Sequence, residues 1–377
     1  MLIADLKTWI QGRGPITVAA FMDAALYHPD FGYYARAAQR SGRAGDFFTS
    51  VDVGALFGEL LAKQIAEMAA VLADLRVHTT SASFDLVEAG AGNGRLSADI
   101  LRAMKRNVPE TFAQTRLHLV EASADARAMH RDVLGEVADR LASSTSTVPE
   151  SFEGVLVANE LLDAMPVHQV VMRHDGLREV YVEAVDGTLV TREGPLSTSR
   201  LADHFRALGI TLEPGWRAEV SLAAIDWIRD AMRRLTRGFA IFIDYGHEAA
   251  ELYSVTHSAG TLTSFSRHTS AGAETSPPSA SWLQNPGEQD LTAHVDFTSI
   301  RRAAEAEGCT RLGFLDQMYF LMALGTDRFD TLDLKGRLAL KTLVMPGGLG
   351  STMKVLILGK GVGTPTVLGC SSQVRVT

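Results

Sequence analysis

The stretch Phe84-Asp-Leu-Val-Glu-Ala-Gly-Ala-Gly-Asn-Gly-Arg-Leu96 constrains this chain more than any other. Phe84–Val87 reads as a buried strand. It runs into an acid, Glu88, and then into glycines at alternate positions, Gly90, Gly92 and Gly94; a helical stretch continues over about 95–106. Strand, glycine turn and helix together form the opening unit of a nucleotide-binding α/β domain. The glycines allow a sharp turn and a close approach of ligand to backbone. A dinucleotide fingerprint needs a third glycine where Arg95 stands. Glu-x-Gly-x-Gly-x-Gly instead suits S-adenosylmethionine (SAM), whose methionine part has no pyrophosphate to seat on the helix. Glu88, Gly90, Gly92 and Gly94 are therefore the first candidate cofactor contacts. The competing reading is a tight βα turn without a ligand.

The residues beyond the turn fit a nucleotide-binding domain. Strand and helix patterns alternate through residues 84–160, with strands at 84–89, 116–122 and 154–160 and helices at 95–107 and near 124–141. Such alternation predicts a mostly parallel sheet with helices on both faces. From 167 to 220 the period shortens to that of strands, and Asp175-Gly176 and Asp186-Gly187 mark hairpins. The strand Phe239–Ile243 returns to the main sheet, and Met353–Leu358 is its last strand. The Ser/Thr/Gly/Pro-rich stretch 254–289 reads as one long mobile loop, and the tail from Gly359 as frayed. The expected domains are a helical N-terminal cover over 1–78, a SAM-binding Rossmann-like domain over 79–166 and 237–360, an inserted α+β lid or substrate subdomain over 167–236, and a tail over 361–377.

The composition narrows the function classes. In 377 residues, 36 basic against 44 acidic groups give a net charge of −8, which argues against a nucleic-acid binder held by phosphate contacts. Hydrophobic and charged fractions of 46% and 21% are those of a globular protein. No run of 18 apolar residues exists, so no membrane span is expected, and the N-terminus lacks the features of a secretory or transit signal. Cys309 and Cys370 are the two cysteines, and no Cys/His ligand spacing is present. Neither a disulfide framework nor a metal site is expected, and a reducing cytoplasm fits.

In open α/β sheets the ligand lies beyond the carboxyl ends of the strands. Glu121 ends the second strand, where its carboxylate can accept hydrogen bonds from ribose hydroxyls. Asn159, Glu160 and Asp163 come at the end of the next strand. Asn159 is placed to meet the methionine part of SAM, and the two carboxylates suit a guanidinium, whose planar fork of donors matches bidentate acceptors. Asp244, Tyr245 and His247 end the strand after that, and His247 is a candidate proton acceptor. A lone His is more often structural. Methyl transfer asks chiefly for alignment, proximity and exclusion of water, so the lack of a metal or nucleophile constellation does not count against an enzyme.

Taken in order, these segments resemble the MidA-like family of class I SAM-dependent methyltransferases, which includes the mitochondrial complex I assembly-factor methyltransferase. The resemblance rests on Pro29-Asp-Phe-Gly-Tyr-Tyr34, Gly45-Asp-Phe-Phe-Thr-Ser50, Phe57-Gly-Glu59, Glu88–Gly94, Ala158-Asn-Glu-Leu-Leu-Asp-Ala-Met-Pro-Val-His-Gln169, Asp244-Tyr-Gly-His247 and Gln289-Asp-Leu-Thr-Ala-His-Val-Asp-Phe297. It implies a seven-stranded SAM-binding sheet, a helical N-terminal region closing over the site, and a protein substrate, with arginine the favoured acceptor and a respiratory-complex subunit the partner. It also makes Asp46 and Thr49 candidate active-site residues. A homodimer stays open. The family's Gly-Pro-Gly-Arg-Gly is here Gly90-Ala-Gly-Asn-Gly94, which alters stiffness and charge beside the cofactor but keeps the glycines. Two readings compete with an enzyme of this kind acting on protein: a SAM-binding assembly chaperone without transfer, and a small-molecule methyltransferase. A nicotinamide oxidoreductase is disfavoured by Arg95.

Overall fold

A strand buried on both faces takes a near-continuous apolar run, and β1 (Phe84–Ala89) is buried at all six positions. In the computed structural model, which describes residues 2–37, 49–75, 83–266, 269–271, 280–325, 332–345 and 349–371, β1 lies mid-sheet. The other strands are β2 (Thr115–Val120), β3 (Leu141–Thr145), β4 (Phe152–Asn159), β5 (Leu235–His247), β6 (Cys309–Asp316) and β7 (Met353–Lys360). Their order is β3-β2-β1-β4-β5-β7-β6. The first five are parallel, and β7 runs antiparallel to both β5 and β6. From β1 the chain steps outward to β2 and β3, then returns to the other side of β1 as β4. The ends of β1 and β4 therefore bound the switch point, where ligands bind in such sheets. At the opposite ends the strands close tightly. A Cβ on Gly154 would lie 1.9 Å from the Asp85 carbonyl oxygen, and one on Gly238 would lie 1.9 Å from that of Gly154.

The chain divides into two compact units: 48–161, 228–245 and 301–377 in one; 1–47, 162–227 and 246–300 in the other. The sheet unit includes α1 (Leu56–Asp74), α2 (Arg95–Asn107) and α3 (Ala124–Leu134). Phe57, Leu60, Leu61, Ile65 and Met68 of α1 are buried in the same core as Leu86, Val155 and Ile241 of the sheet. This division departs from the boundaries expected at 78 and 166: α1 packs with the sheet core, which its amphipathic pattern alone does not reveal. The tail also differs from expectation through its described residues to 371. Val362 and Val367 are buried, and Gly369 N–H donates to Gln64 Oε1 at 2.8 Å.

In the second unit, Thr17 caps the helix Val18–Tyr27, its Oγ1 accepting from Ala20 N at 3.1 Å. Ile16–Thr17 pairs antiparallel with the strand Gly176–Val185, which also pairs with His168–Arg173 and Thr188–Gly194. Asp186 and Gly187 have φ of 48° and 75°, the left-handed pair that a tight hairpin requires. Phe21, Met22, Val180, Trp282 and Leu291 share one core. The stretch expected as a loop is partly a sheet: Thr263–Ser266 pairs with Thr269–Ala271 and with Asp290–Thr292. Residues 272–279 lie outside the described residues. Ser, Gly and Pro give the stretch a loop-like composition, and the pairing to 290–292 is non-local, so composition alone misses it.

Candidate active site

Within the sheet unit, the residues expected to hold the cofactor gather at the carboxyl ends of β1, β2 and β4. The glycine turn is tied to β2 by two bonds, Gly90 N–H and Ala91 N–H donating to the Val120 carbonyl at 2.9 and 3.1 Å. The three glycines serve different ends. A Cβ at Gly90 would come within 3.0 Å of Leu161 Cδ1, and one at Gly94 within 3.2 Å of Leu119 Cδ1, so packing restricts both positions. At Gly92, φ is 52° and a Cβ would meet nothing within 4 Å. The space beside Gly92 is open.

Glu121 spans that turn. Its Oε2 accepts from Gly92 N at 2.9 Å and its Oε1 from Ser123 N at 2.8 Å. A carboxylate has about four lone-pair sites, so acceptor capacity is left for hydroxyls. Ser123 in turn caps α3 through Ala126 N at 3.3 Å. His130 holds the turn from below, with Nε2 2.9 Å from the Gly92 carbonyl and Nδ1 2.9 Å from Ser144 Oγ. The carbonyl partner requires a proton on Nε2, while the Ser144 hydroxyl can serve Nδ1 as donor or acceptor; burial lowers the pKa of this imidazole.

Glu88 is turned the other way. Its carboxyl is buried, and Oε2 accepts from both Ser97 N (3.1 Å) and Ser97 Oγ in the first turn of α2. Burial, helped by the charge of Glu121, pushes its pKa up to about 7 against the pull of the Ser97 hydrogen bonds. Glu88 thus braces the turn against α2, a positioning task that its place in the sequence does not distinguish from ligand contact.

Asn159 ends β4, and its Nδ2 donates to Glu160 Oε1 at 3.1 Å. Asn159 Oδ1 is buried and has no hydrogen-bond partner among the described residues. Buried acceptors are rarely left so, and this one lies at the switch point. Glu160 has φ of 51°, a left-handed conformation that costs a non-glycine residue about 1–2 kcal/mol. Its N–H donates to the Ile243 carbonyl at 2.8 Å, and its Oε1 accepts from Ser50 N at 3.4 Å. Strain at such a position is a signature of function. Thr49 N and Oγ1 donate to Asp52 Oδ2 at 3.2 and 3.1 Å, and Asp52 Oδ1 meets Arg95 Nη1 at 3.4 Å. Thr49, Ser50 and Asp52 are thereby fastened to the same region as the turn. Asp46 lies outside the described residues. Ser50, Ser97 and His130 are not among the residues that sequence reasoning singles out; each acts through a contact that no local pattern announces.

The remaining candidates belong to the second unit. Asp163 is buried, and its carbonyl accepts from Ala293 N at 3.0 Å. Tyr34 Oη donates to the buried Asp290 carboxylate at 3.1 and 3.2 Å, and burial, Asp290 and Asp163 together raise the Tyr34 pKa well above the usual tyrosine value. His247 sits among imidazoles, with ring centroids 4.6 Å from His257 and 5.3 Å from His294. Among the described residues no helix is long and apolar enough to cross a membrane.

The donor set fits SAM: an acid at the second strand end, an open glycine, and a buried carbonyl acceptor at the fourth strand end. With the strand order, these features define a class I SAM-dependent methyltransferase. The chain belongs to the family described as "Putative S-adenosyl-L-methionine-dependent methyltransferase", whose model matches residues 60–315. It is similar to the mouse protein arginine methyltransferase NDUFAF7, mitochondrial, at 30% identity over 355 residues, covering 86% of this chain and 74% of that protein. The Drosophila melanogaster homolog is 29% identical over 406 residues, covering 96% and 85%. A Burkholderia thailandensis protein crystallised with S-adenosyl-homocysteine superposes with a TM-score of 0.86 at 31% identity, covering 98% of this chain and 94% of that one. The chain is accordingly an enzyme whose cofactor is SAM.

Proposed function

We propose that this methyltransferase acts on an arginine side chain of a protein, with Gly90, Gly92, Gly94, Glu121 and Asn159 holding the cofactor. Relatives named protein arginine methyltransferase match 86% of the chain. The observation that carries the reading here is Glu160, a carboxylate held in a left-handed conformation at the carboxyl end of β4, beside Asn159. SAM, when bound, supplies an activated methyl group. The chain's task is to align a guanidinium nitrogen and exclude water. A carboxylate accepts from the guanidinium fork and holds its orientation. Glu160 Oε2 is our choice for that role, and for taking up the proton the nitrogen gives up. Asp163, three residues on, is proposed as a second acidic group acting on the substrate. Thr49 and Asp46 are proposed to complete the cover over the cofactor. By the family resemblance, the first acceptors to try are subunits of a respiratory complex.

The test combines calorimetry with S-adenosyl-homocysteine and mass-spectrometric detection of methylated arginine in candidate partners. Glu160→Gln and Asp163→Asn should bind the product within about threefold of the parent and lose at least a hundredfold in transfer, since each removes an interaction made with the acceptor. Full activity in both variants removes these residues from the mechanism. Tight product binding with no transfer to any protein would favour a chaperone instead.

A further inference from the structure

The second unit carries a cluster that methyl transfer does not use. His247 lies at the end of β5, His257 on the short turn Val255–His257, and His294 just after the strand Asp290–Thr292. The three rings face one another, with centroid separations of 4.6, 5.3 and 5.6 Å. One nitrogen from each lies within 4.8 Å of the other two. We propose that His247, His257 and His294 form a site for one divalent transition-metal ion, of which Zn2+ is the best fit.

Two observations give the cluster the character of a site. The first is convergence. A zinc–imidazole bond of about 2.0–2.1 Å sets neighbouring nitrogens roughly 3.3 Å apart in a tetrahedron. The rings need to draw in by no more than about 1.5 Å to reach that spacing. His257 is half-buried on a turn whose Val255 is 72% exposed, so its ring has room to adjust.

The second observation is the outer partner. Ligating imidazoles characteristically present their other nitrogen to a carboxylate or a backbone carbonyl, which fixes tautomer and orientation. Glu251 supplies one of each. Its Oε1 lies 3.0 Å from His247 Nδ1, at ion-pair distance though out of line for a hydrogen bond, and its carbonyl oxygen lies 3.1 Å from His257 Nδ1. With His257 Nδ1 on the Glu251 carbonyl and His247 Nδ1 facing the Glu251 carboxylate, Nε2 is the nitrogen of each ring that would ligate a metal. Imidazole suits zinc, copper and nickel, and zinc alone has no geometric preference for this set to satisfy. Three protein ligands leave the fourth tetrahedral position to water or a substrate donor. In this reading His247 is a ligand, and no longer serves as a base.

The test uses the full chain, stripped by dialysis against a chelator and shown by circular dichroism to be folded. Titration with ZnCl2 by calorimetry, and with CoCl2 by visible absorption, should give one ion per chain, the cobalt spectrum reporting four-coordinate nitrogen ligation. His257→Ala should weaken Zn2+ at least a hundredfold, and Glu251→Gln, which keeps all three imidazoles, by 10–100-fold. Both variants should still bind S-adenosyl-homocysteine, which shows that the fold is intact. No Zn2+ binding by the parent overturns the proposal, as does binding that survives His257→Ala and Glu251→Gln unchanged.

Discussion

Glu88→Gln tests whether the acid before the glycine turn braces the fold. The carboxyl is buried, and its pKa rises from 4.5 to about 7 on folding. At 1.36 kcal/mol per pH unit, that displacement corresponds to roughly 3 kcal/mol. Below pH 4.5 the group is protonated whether the chain is folded or not, and contributes nothing. Between pH 4.5 and about 7 the folded chain keeps a proton that the unfolded chain has released, so stability falls as pH rises. Above about 7 the whole penalty is present. Gln keeps an acceptor oxygen for Ser97 N–H and Oγ–H and never ionises. The variant should therefore match the parent to within about 1 kcal/mol at pH 5 and exceed it by about 3 kcal/mol at pH 8. Urea unfolding of both proteins at pH 5, 6, 7 and 8 measures the difference directly. A gap that stays constant with pH, or shrinks as pH rises, would refute the argument that burial holds Glu88 protonated.

The same geometry sets other expectations. Gly92→Val should cost about 2 kcal/mol of stability, for a β-branched side chain at positive φ, yet weaken S-adenosyl-homocysteine at least tenfold by calorimetry; unchanged affinity would place the cofactor elsewhere. Gly154→Ala sets a methyl group against the Asp85 carbonyl and should abolish soluble folded protein, read from expression and circular dichroism; a variant melting within a few degrees of the parent would show that the strands can part. Ser123→Ala removes a helix cap and should cost about 1 kcal/mol in urea unfolding, with no loss expected if that hydrogen bond does not form.

Much of the sheet is legible because its signals are local. β1 is an apolar run, its turn is spelled in glycines, and one hairpin carries Asp186-Gly187 where φ turns positive, while at Asp175-Gly176 the dipeptide marks the hairpin but the turn residues are His174 and Asp175. The fold class and the cofactor rest on those few residues. What escapes a reading of the sequence is non-local. β6 interleaves apolar residues with Thr310 and Arg311 on an outer strand, where alternation is weak, and its identity depends on pairing with β7. α1 shows its apolar face but not what that face will cover. In the site, Glu121, Asn159 and Glu160 are visible as polar residues ending strands. Ser97, His130 and Ser50 are not, since nothing near them in sequence says that Glu88, Gly92 and Glu160 are their partners. The three imidazoles come from separate segments and leave no spacing to read.

The unequal crowding around the three glycines has a consequence for redesign. Positions 90 and 94 are pressed by leucine side chains, so enlarging either disturbs the core before it touches a ligand. Position 92 has no such neighbour, and in the cofactor site we propose a side chain there would meet SAM. A bulkier residue at 92 paired with a trimmed SAM analogue is thus a route to a bump-and-hole enzyme that ignores the cell's own methyl donor, which would let its acceptors be labelled in a living extract.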